Sequence, residues 1–322
     1  MHPNLRTVRI ARKSTEATNI CTFELIDPNG DLLPTFSAGA HIDVHISPWL
    51  IRQYSLCGNP ADRHRYLIAV LRDPDGRGGS RAMHDDVHEG CEIQISLPKN
   101  CFPLVRETQP SLLLAGGIGV TPILCMAEHL SQIGAEFEMH YLTRSRDRTA
   151  FYDRLAQSPF APKVAFHHDD GPASQRLDIP ALLERFNGNA NLYMCGPGGF
   201  LTFVRNTATR LGWTDESIHF EYFSGGPQAS NTTGVEFEVK LASTGTIYAV
   251  PADKTVVEVL AAYGISIPTS CEQGVCGTCL TRVLEGEPAH RDFYLSAEEQ
   301  AKNDRFLPCC SRAKSPLLVL DM

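Results

Sequence analysis

The sequence predicts a multidomain chain: an antiparallel β-barrel, then an α/β domain on a parallel sheet, then a small C-terminal domain built round a cysteine loop. Three observations predict it. Residues 5 to 105 alternate apolar and polar positions in short runs, residues 110 to 223 alternate apolar strand-like runs with amphipathic stretches, and "CEQGVCGTCL", 271 to 280, carries the spacing CxxxxCxxC.

A chain of 322 residues has room for two or three modules, each with its own core. The formal net charge of −8 argues against nucleic acid as a partner, because phosphate neutralisation needs a basic face. The hydrophobic content of 43% is that of a soluble globular protein. No segment approaches the roughly 18 apolar residues of a membrane span, and no apolar run follows the basic residues near position 10. A cytoplasmic protein without membrane association is therefore expected. Its cysteines number 11, an odd count, and in a reducing compartment clustered thiols hold metal or do redox chemistry.

In the first part, "CTFELID", "HIDVHI", "RYLIAVLR" and "CEIQISLP" read as strands separated by Pro, Gly, Asn and Asp turns. Short strands at this spacing form a small barrel. "IRQYSLCG" places Arg52, Gln53, Tyr54 and Ser55 at the end of a strand, and "GRGGSRAMHDD" places Gly76, Gly78, Gly79 and Ser80 ahead of a helix. Open amides at a helix start suit a phosphate, and a guanidinium suits it too. The plain alternative is a barrel strand with an exposed arginine beside a surface turn.

The second part reads as strands "SLLLAGG", "EFEMHYLTR", "KVAFHHDD" and "NLYMCGP" alternating with helices "PILCMAEHLSQIG", "DIPALLERF" and "GFLTFVRNTATRLG". "LLLAGGIGVTPIL" ends a buried strand with Gly116, Gly117 and Gly119 and begins a helix with Thr121 and Pro122. Amides and helix dipole there can receive a pyrophosphate. It is not GxGxxG, since Pro122 stands where the third glycine would be, which favours a reductase type of nucleotide domain over a dehydrogenase. "YMCGPGGF" puts Cys195, Gly196 and Pro197 at the end of another strand, the edge where α/β sheets bind ligands.

"SGGPQASNTTG", 224 to 234, reads as a linker. The last part then holds a hairpin ("VEFEVKLA", "TIYAVP"), a helix ("TVVEVLAAYG"), the cysteine loop and a final strand "PLLVLDM". CxxxxCxxC with a remote fourth cysteine is the spacing of a plant-type [2Fe–2S] centre. Gly274 and Gly277 permit turns that aim amides at the sulfurs. Structural zinc also takes four thiolates, but usually from paired short spacers. The fourth thiol lies in "LPCCSRAKS", at Cys309 or Cys310.

Residues 235 to 322 resemble a plant-type ferredoxin domain of β-grasp fold, and the whole chain resembles the phthalate dioxygenase reductase family. The resemblance implies boundaries at 1–107 for a flavin-binding barrel, 108–223 for an NAD-binding domain, 224–234 for the linker and 235–322 for the ferredoxin domain. The family's last ligand stands in a Cys-x-Ser-Arg run, here "CCSR", so Cys271, Cys276, Cys279 and Cys309 are implied as ligands, with Cys310 packed in the core. RxYS matches the flavin-barrel signature: Arg52 for the phosphate, Tyr54 beside the ring, Ser55 for its N5 region. Gly78, Gly79 and Ser80 are implied at the FMN phosphate, and Ala69 and Val70 at the flavin edge through their backbone. FMN is implied over FAD, since nothing in the barrel clasps an adenosine.

For the nicotinamide cofactor the resemblance implies Gly117, Gly119 and Thr121 at the pyrophosphate and Arg144 on the adenosine side. Cys195 and Gly196 are placed near the reactive carbon, and Phe223 in "HFEYF" as the ring that covers the flavin. NADH is favoured, although Arg144, Arg146 and Arg148 offer charge for a 2′-phosphate. The partner implied is a Rieske-type terminal oxygenase, and the state implied is a monomer. Catalysis is expected of Cys195, Ser55 and Phe223. The alternatives are the same electron chain serving a cytochrome or another monooxygenase, and a zinc-stabilised binding module without redox activity.

Other features carry blander expectations. "FHHDDG", 166 to 171, is not expected to bind metal, because neighbours on a strand face opposite ways. "SAEE" reads as a helix capping box, and "HRDFY", 290 to 294, has no derivable chemistry. Cys21, Cys57, Cys91, Cys101 and Cys125 read as small packing residues.

Overall fold

A computed structural model gives the architecture and describes residues 5–47, 50–74, 76, 78–105, 109–223, 235–269, 274, 277–292 and 294–322. The linker assigned to 224–234, and Cys271 and Cys276, lie outside the described residues. The chain separates into two compact units, Met1–Phe223 and Ser224–Met322.

The first unit begins with an antiparallel sheet. Its strands are β1 (Leu5–Ala17), β2 (Ile20–Ile26), β3 (Ala40–Ser47), β4 (Leu50–Ser55) and β5 (Tyr66–Leu71), then β6 (Glu92–Ser96) and β7 (Lys99–Asn100), with helix α1 (Gly79–Asp85) after β5. The order is β4-β3-β6-β1-β2-β5, with β7 on β3. Past the end of β4, the Cys57 amide donates to the Leu67 carbonyl at 2.9 Å and links the two outer strands. Inward positions alternate as the pleat requires: Val8 and Ile10, Phe23 and Leu25, Ile42 and Val44, Ile68 and Val70 all meet in one core.

The same unit continues into a parallel sheet of β8 (Ser111–Gly116), β9 (Phe137–Thr143), β10 (Val164–His168), β11 (Asn191–Gly196) and β12 (Ile218–Tyr222). Helices α2 (Val120–Gln132), α3 (Tyr152–Ala156), α4 (Ile179–Phe186) and α5 (Gly198–Arg210) connect them. The order β10-β9-β8-β11-β12 reverses direction between β8 and β11. Every residue of β8 and of β11 is buried, as central parallel strands covered on both faces must be. Helix α2 is apolar nearly all round because it is covered on both sides. Ile123, Leu124, Cys125 and Met126 share one core with Cys57, Ala69 and Phe102 of the barrel and Leu113, Tyr141 and Cys195 of the parallel sheet. Cross-links add to it: Phe151 N–H donates to Glu16 at 2.8 Å, and Val105 N–H to the Tyr193 hydroxyl at 2.8 Å.

The second unit holds β13 (Phe237–Leu241), β14 (Ile247–Val250), α6 (Val256–Ala262), β15 (Thr281–Glu285), β16 (Pro288–Ala289), α7 (Ala297–Ala301), β17 (Arg305–Phe306), β18 (Arg312–Ala313) and β19 (Leu317–Leu320). The sheet order is β14-β13-β19-β15-β17, with β13 and β19 parallel and the other pairs antiparallel. Helix α6 lays Val256, Val259 and Leu260 on this sheet, which is the β-grasp arrangement. Capping boxes start both helices: Thr255 with Glu258, and Ser296 with Glu299 as "SAEE" leads one to expect. Arg312 is buried and donates to the carbonyls of Lys254 (2.7 Å), Pro251 (2.9 Å) and Val235 (3.2 Å), its guanidinium also lying over the Phe237 ring. Five donors in a fixed fork suit several carbonyls at once, so this arginine of "CCSR" is a brace.

Among the described residues no helix is long and apolar enough to cross a membrane.

Candidate functional site

In the first unit the barrel contributes one wall of a site. Pairing of β3 with β4 sets Ser55 opposite His41, Tyr54 opposite Ile42 and Gln53 opposite Asp43. The Gln53 amide donates to Asp43 at 3.1 Å and sits 3.1 Å from the His41 ring. Tyr54 packs half-buried on the barrel core, and burial pushes its phenol well up, so it stays neutral. Arg52 and Gly79 are brought together from "RQYS" and "GRGGS": a Cβ on Gly79 would lie 2.6 Å from the Arg52 Nε. The missing side chain leaves room for the guanidinium against the start of α1, where Gly78 takes the left-handed conformation at φ +82°. The Ser80 hydroxyl accepts the Asp73 N–H at 3.1 Å. That cradle of amides, a hydroxyl and a guanidinium fits a phosphate.

Val70 packs its side chain into the barrel core and Ala69 into the core under α2, which leaves only their backbone for any other contact. The Val70 carbonyl is taken, 2.8 Å from the His84 ring.

The opposite wall is the carboxyl edge of the parallel sheet at its point of reversal, where open α/β sheets bind ligands. The turn after β8 presses on the end of β11. A Cβ on Gly119 would collide with the Cys195 carbonyl and lie 2.7 Å from the Gly196 nitrogen. Thr121 is buried and turns its hydroxyl onto the Ile118 carbonyl at 3.1 Å, closing the turn. Arg144 follows β9 on this edge and is exposed. Arg146 stacks on Tyr152, 3.7 Å from the ring centre.

Cys195 is buried, and burial together with the nearby Glu221 pushes its thiol well above the ordinary range, so it is a neutral thiol and not a thiolate nucleophile. The β11 to β12 register sets it directly opposite Glu221. Burial pushes the Glu221 carboxyl up to about 8, against a smaller opposing effect of Ser55, whose hydroxyl donates to it at 3.3 Å. Ser55, Cys195 and Glu221 therefore converge from two sheets, with Phe223 packed half-buried beside the shared core. Sequence reasoning gave Glu221 no role. The sequence marked it only as an acid two residues before the aromatic in "HFEYF".

The second unit holds the thiol site. Cys279 and Cys309 are buried, 3% and 5% exposed, with their sulfurs in hydrogen-bonding reach of each other. Gly274 and Gly277 both adopt the left-handed conformation, φ +76° and +71°, as the turn at the sulfurs requires. A side chain at Gly277 would run into the Tyr294 ring, and one at Gly274 into the Cys310 sulfur and the Asp292 backbone. Cys310 packs half-buried on the core and lies 3.7 Å from the Leu307 carbonyl. Two adjacent buried thiols facing a loop of left-handed glycines fit a cluster held by four cysteines.

In "FHHDDG", His167 lies 2.9 Å from His140 and His168 lies 2.9 Å from Thr143, so the neighbouring rings serve different partners.

Residues 239–314 match the family model described as the 2Fe-2S iron-sulfur cluster binding domain. The vanillate O-demethylase oxidoreductase of Pseudomonas sp. (strain HR199 / DSM 7063) is 52% identical over 306 residues, covering 95% of this chain and 96% of that one. The phthalate dioxygenase reductase of Burkholderia cepacia is 40% identical over 319 residues, covering 98% and 97%. A solved phthalate dioxygenase reductase, described as a modular structure for electron transfer from pyridine nucleotides to [2Fe–2S], is similar with a TM-score of 0.79 at 39% identity, covering 99% of this chain and 98% of that one. Because the likeness runs through barrel, parallel sheet and cysteine domain in one order, this chain belongs to the phthalate dioxygenase reductase family.

Proposed function

We propose that this chain is the NADH-dependent reductase component of a two-component oxygenase system. Electrons pass from NADH through FMN and a [2Fe–2S] cluster to a Rieske-type terminal oxygenase, for aromatic hydroxylation or O-demethylation. The observation that carries this reading is the convergence of Ser55, Cys195 and Glu221 where the barrel meets the reversal point of the parallel sheet. A bound FMN would supply the chemistry that joins a two-electron hydride donor to a one-electron cluster.

The chain's residues supply binding and orientation. Arg52 and the Gly78–Ser80 segment hold the FMN phosphate, Tyr54 flanks the ring, and Gln53, Ala69 and Val70 line its edge. Gly117, Gly119 and Thr121 shape the turn that receives the NADH pyrophosphate, and Arg144 serves the adenosine side. Cys195 and Gly196 seat the nicotinamide against the flavin, a neutral thiol and a protonated Glu221 lining the seat without adding charge. Phe223 would cover the flavin ring and yield it to the nicotinamide. Cys271, Cys276, Cys279 and Cys309 ligate the cluster. The work is positioning of donor and acceptor, with no general base needed. The protein acts as a cytoplasmic monomer.

The test is anaerobic. Visible and EPR spectra are taken before and after stoichiometric NADH. Bleached flavin with a rhombic reduced-cluster signal is expected. A zinc-loaded protein without a cluster signal would overturn the reading.

A further inference from the structure

The run "HRDFY" gave no chemistry as sequence, and the structure gives it a place. The Asp292 side chain is fully buried, 0% exposed, with His290 at 3.3 Å. Ser311, two residues after Cys309, donates its hydroxyl to Asp292 Oδ1 at 3.1 Å. The Ser311 oxygen also accepts the Arg291 N–H at 3.1 Å, and its own proton is directed at Asp292. The Leu295 N–H donates to Asp292 Oδ2 at 2.9 Å. Both oxygens thus face donors, the arrangement that a charged carboxylate needs when buried. Meanwhile the Asp292 main chain lies against the cysteine loop: a Cβ on Gly274 would come within 2.9 Å of the Asp292 Cα and 3.0 Å of its Cβ.

One residue therefore touches both sides of the site: its backbone and Cβ meet the Gly274 turn, between the first two cluster cysteines, and its carboxylate meets Ser311, just past the turn that carries the fourth. We propose that Asp292 is a positioning residue for the cluster: it clamps the Gly274 turn against the Cys309–Ser311 segment, and its buried negative charge holds the cluster's reduction potential down. This rests on the cluster reading above. Reduction adds an electron to the cluster, a fixed anion in a low-dielectric interior opposes that addition, and net charge and hydrogen bonding are what set cluster potentials. A low potential makes the reduced cluster a ready donor to the next protein.

The test is a redox titration of the holoprotein followed by EPR, with iron content and NADH-driven flavin bleaching as controls. Asp292→Asn keeps the volume and removes the charge. It is expected to load iron, to leave flavin bleaching unchanged, and to shift the one-electron equilibrium about tenfold toward the reduced cluster, a rise of about 59 mV. Ser311→Ala keeps the charge and removes a donor from it, so its shift is expected in the opposite direction. If Asp292→Asn fails to hold iron, the Ser311→Ala shift decides. Midpoints equal to wild type in an iron-loaded Asp292→Asn, or in Ser311→Ala where that variant decides, overturn the proposal. Absence of any cluster signal in the wild-type protein would instead overturn the cluster reading itself.

Discussion

Glu221 shows how much one residue's surroundings decide. Its carboxyl is pushed up to about 8 from an ordinary 4.5 by burial. Between those values the folded protein holds a proton that the unfolded chain has released. The stability linked to that proton is therefore fully present below about pH 4.5 and is lost as pH rises through about 8. Thermal unfolding of the flavin and nucleotide unit should fall in midpoint between those limits, and Glu221→Gln should flatten the fall. An equally steep fall in that variant would place the titration elsewhere. At neutral pH the protonated acid leaves the meeting point of Ser55, Cys195 and Glu221 uncharged.

At the scale of elements, the site depends on how closely the turn after β8 approaches the end of β11. In Gly119→Ala the new methyl meets backbone atoms of Cys195 and Gly196, which cannot swing aside as a side chain would. Overpacking of this kind costs about 1–3 kcal/mol. The strand end carrying Cys195 should shift with it. The expected outcome is weaker NADH binding, by about tenfold, and slower flavin bleaching with FMN still bound, read by stopped-flow at varied NADH. Unchanged kinetics would show that the strand end tolerates the displacement. The elements themselves were largely legible, because β8 and β11 are continuous apolar runs. β1 was not, although at 13 residues it is the longest strand among the described residues: only Val8 and Ile10 of it are buried, so its charged outer face hides the alternation.

At the scale of the molecule, the two units close separate cores, one pair of cores within Met1–Phe223 and one within Ser224–Met322. Chemistry should divide the same way. Cys309→Ala is expected to lose the cluster while NADH still bleaches the flavin at the wild-type rate, and transfer to a one-electron acceptor should stop. Iron analysis, stopped-flow absorbance and acceptor reduction measure the three parts. A flavin that also failed to bleach would mean that the units depend on each other for folding. The barrel and the parallel sheet read as two domains from their periodicities, and a common core around α2 joins them within one compact unit.

By itself the sequence determined what is local. Periodicity of two or 3.6 marked the strands and helices, Ser296 and Glu299 marked a cap, and three thiols at CxxxxCxxC spacing marked a cluster, because each depends on residues a few positions apart. Only the tertiary structure decided which distant groups meet. Ser55 reaches Glu221 across 166 positions, and Ser311 reaches Asp292 across 19. The shift at Glu221 and the buried carboxylate at Asp292 arise from register and burial, since desolvation depends on whatever the fold packs around a group and leaves no trace in its sequence neighbours.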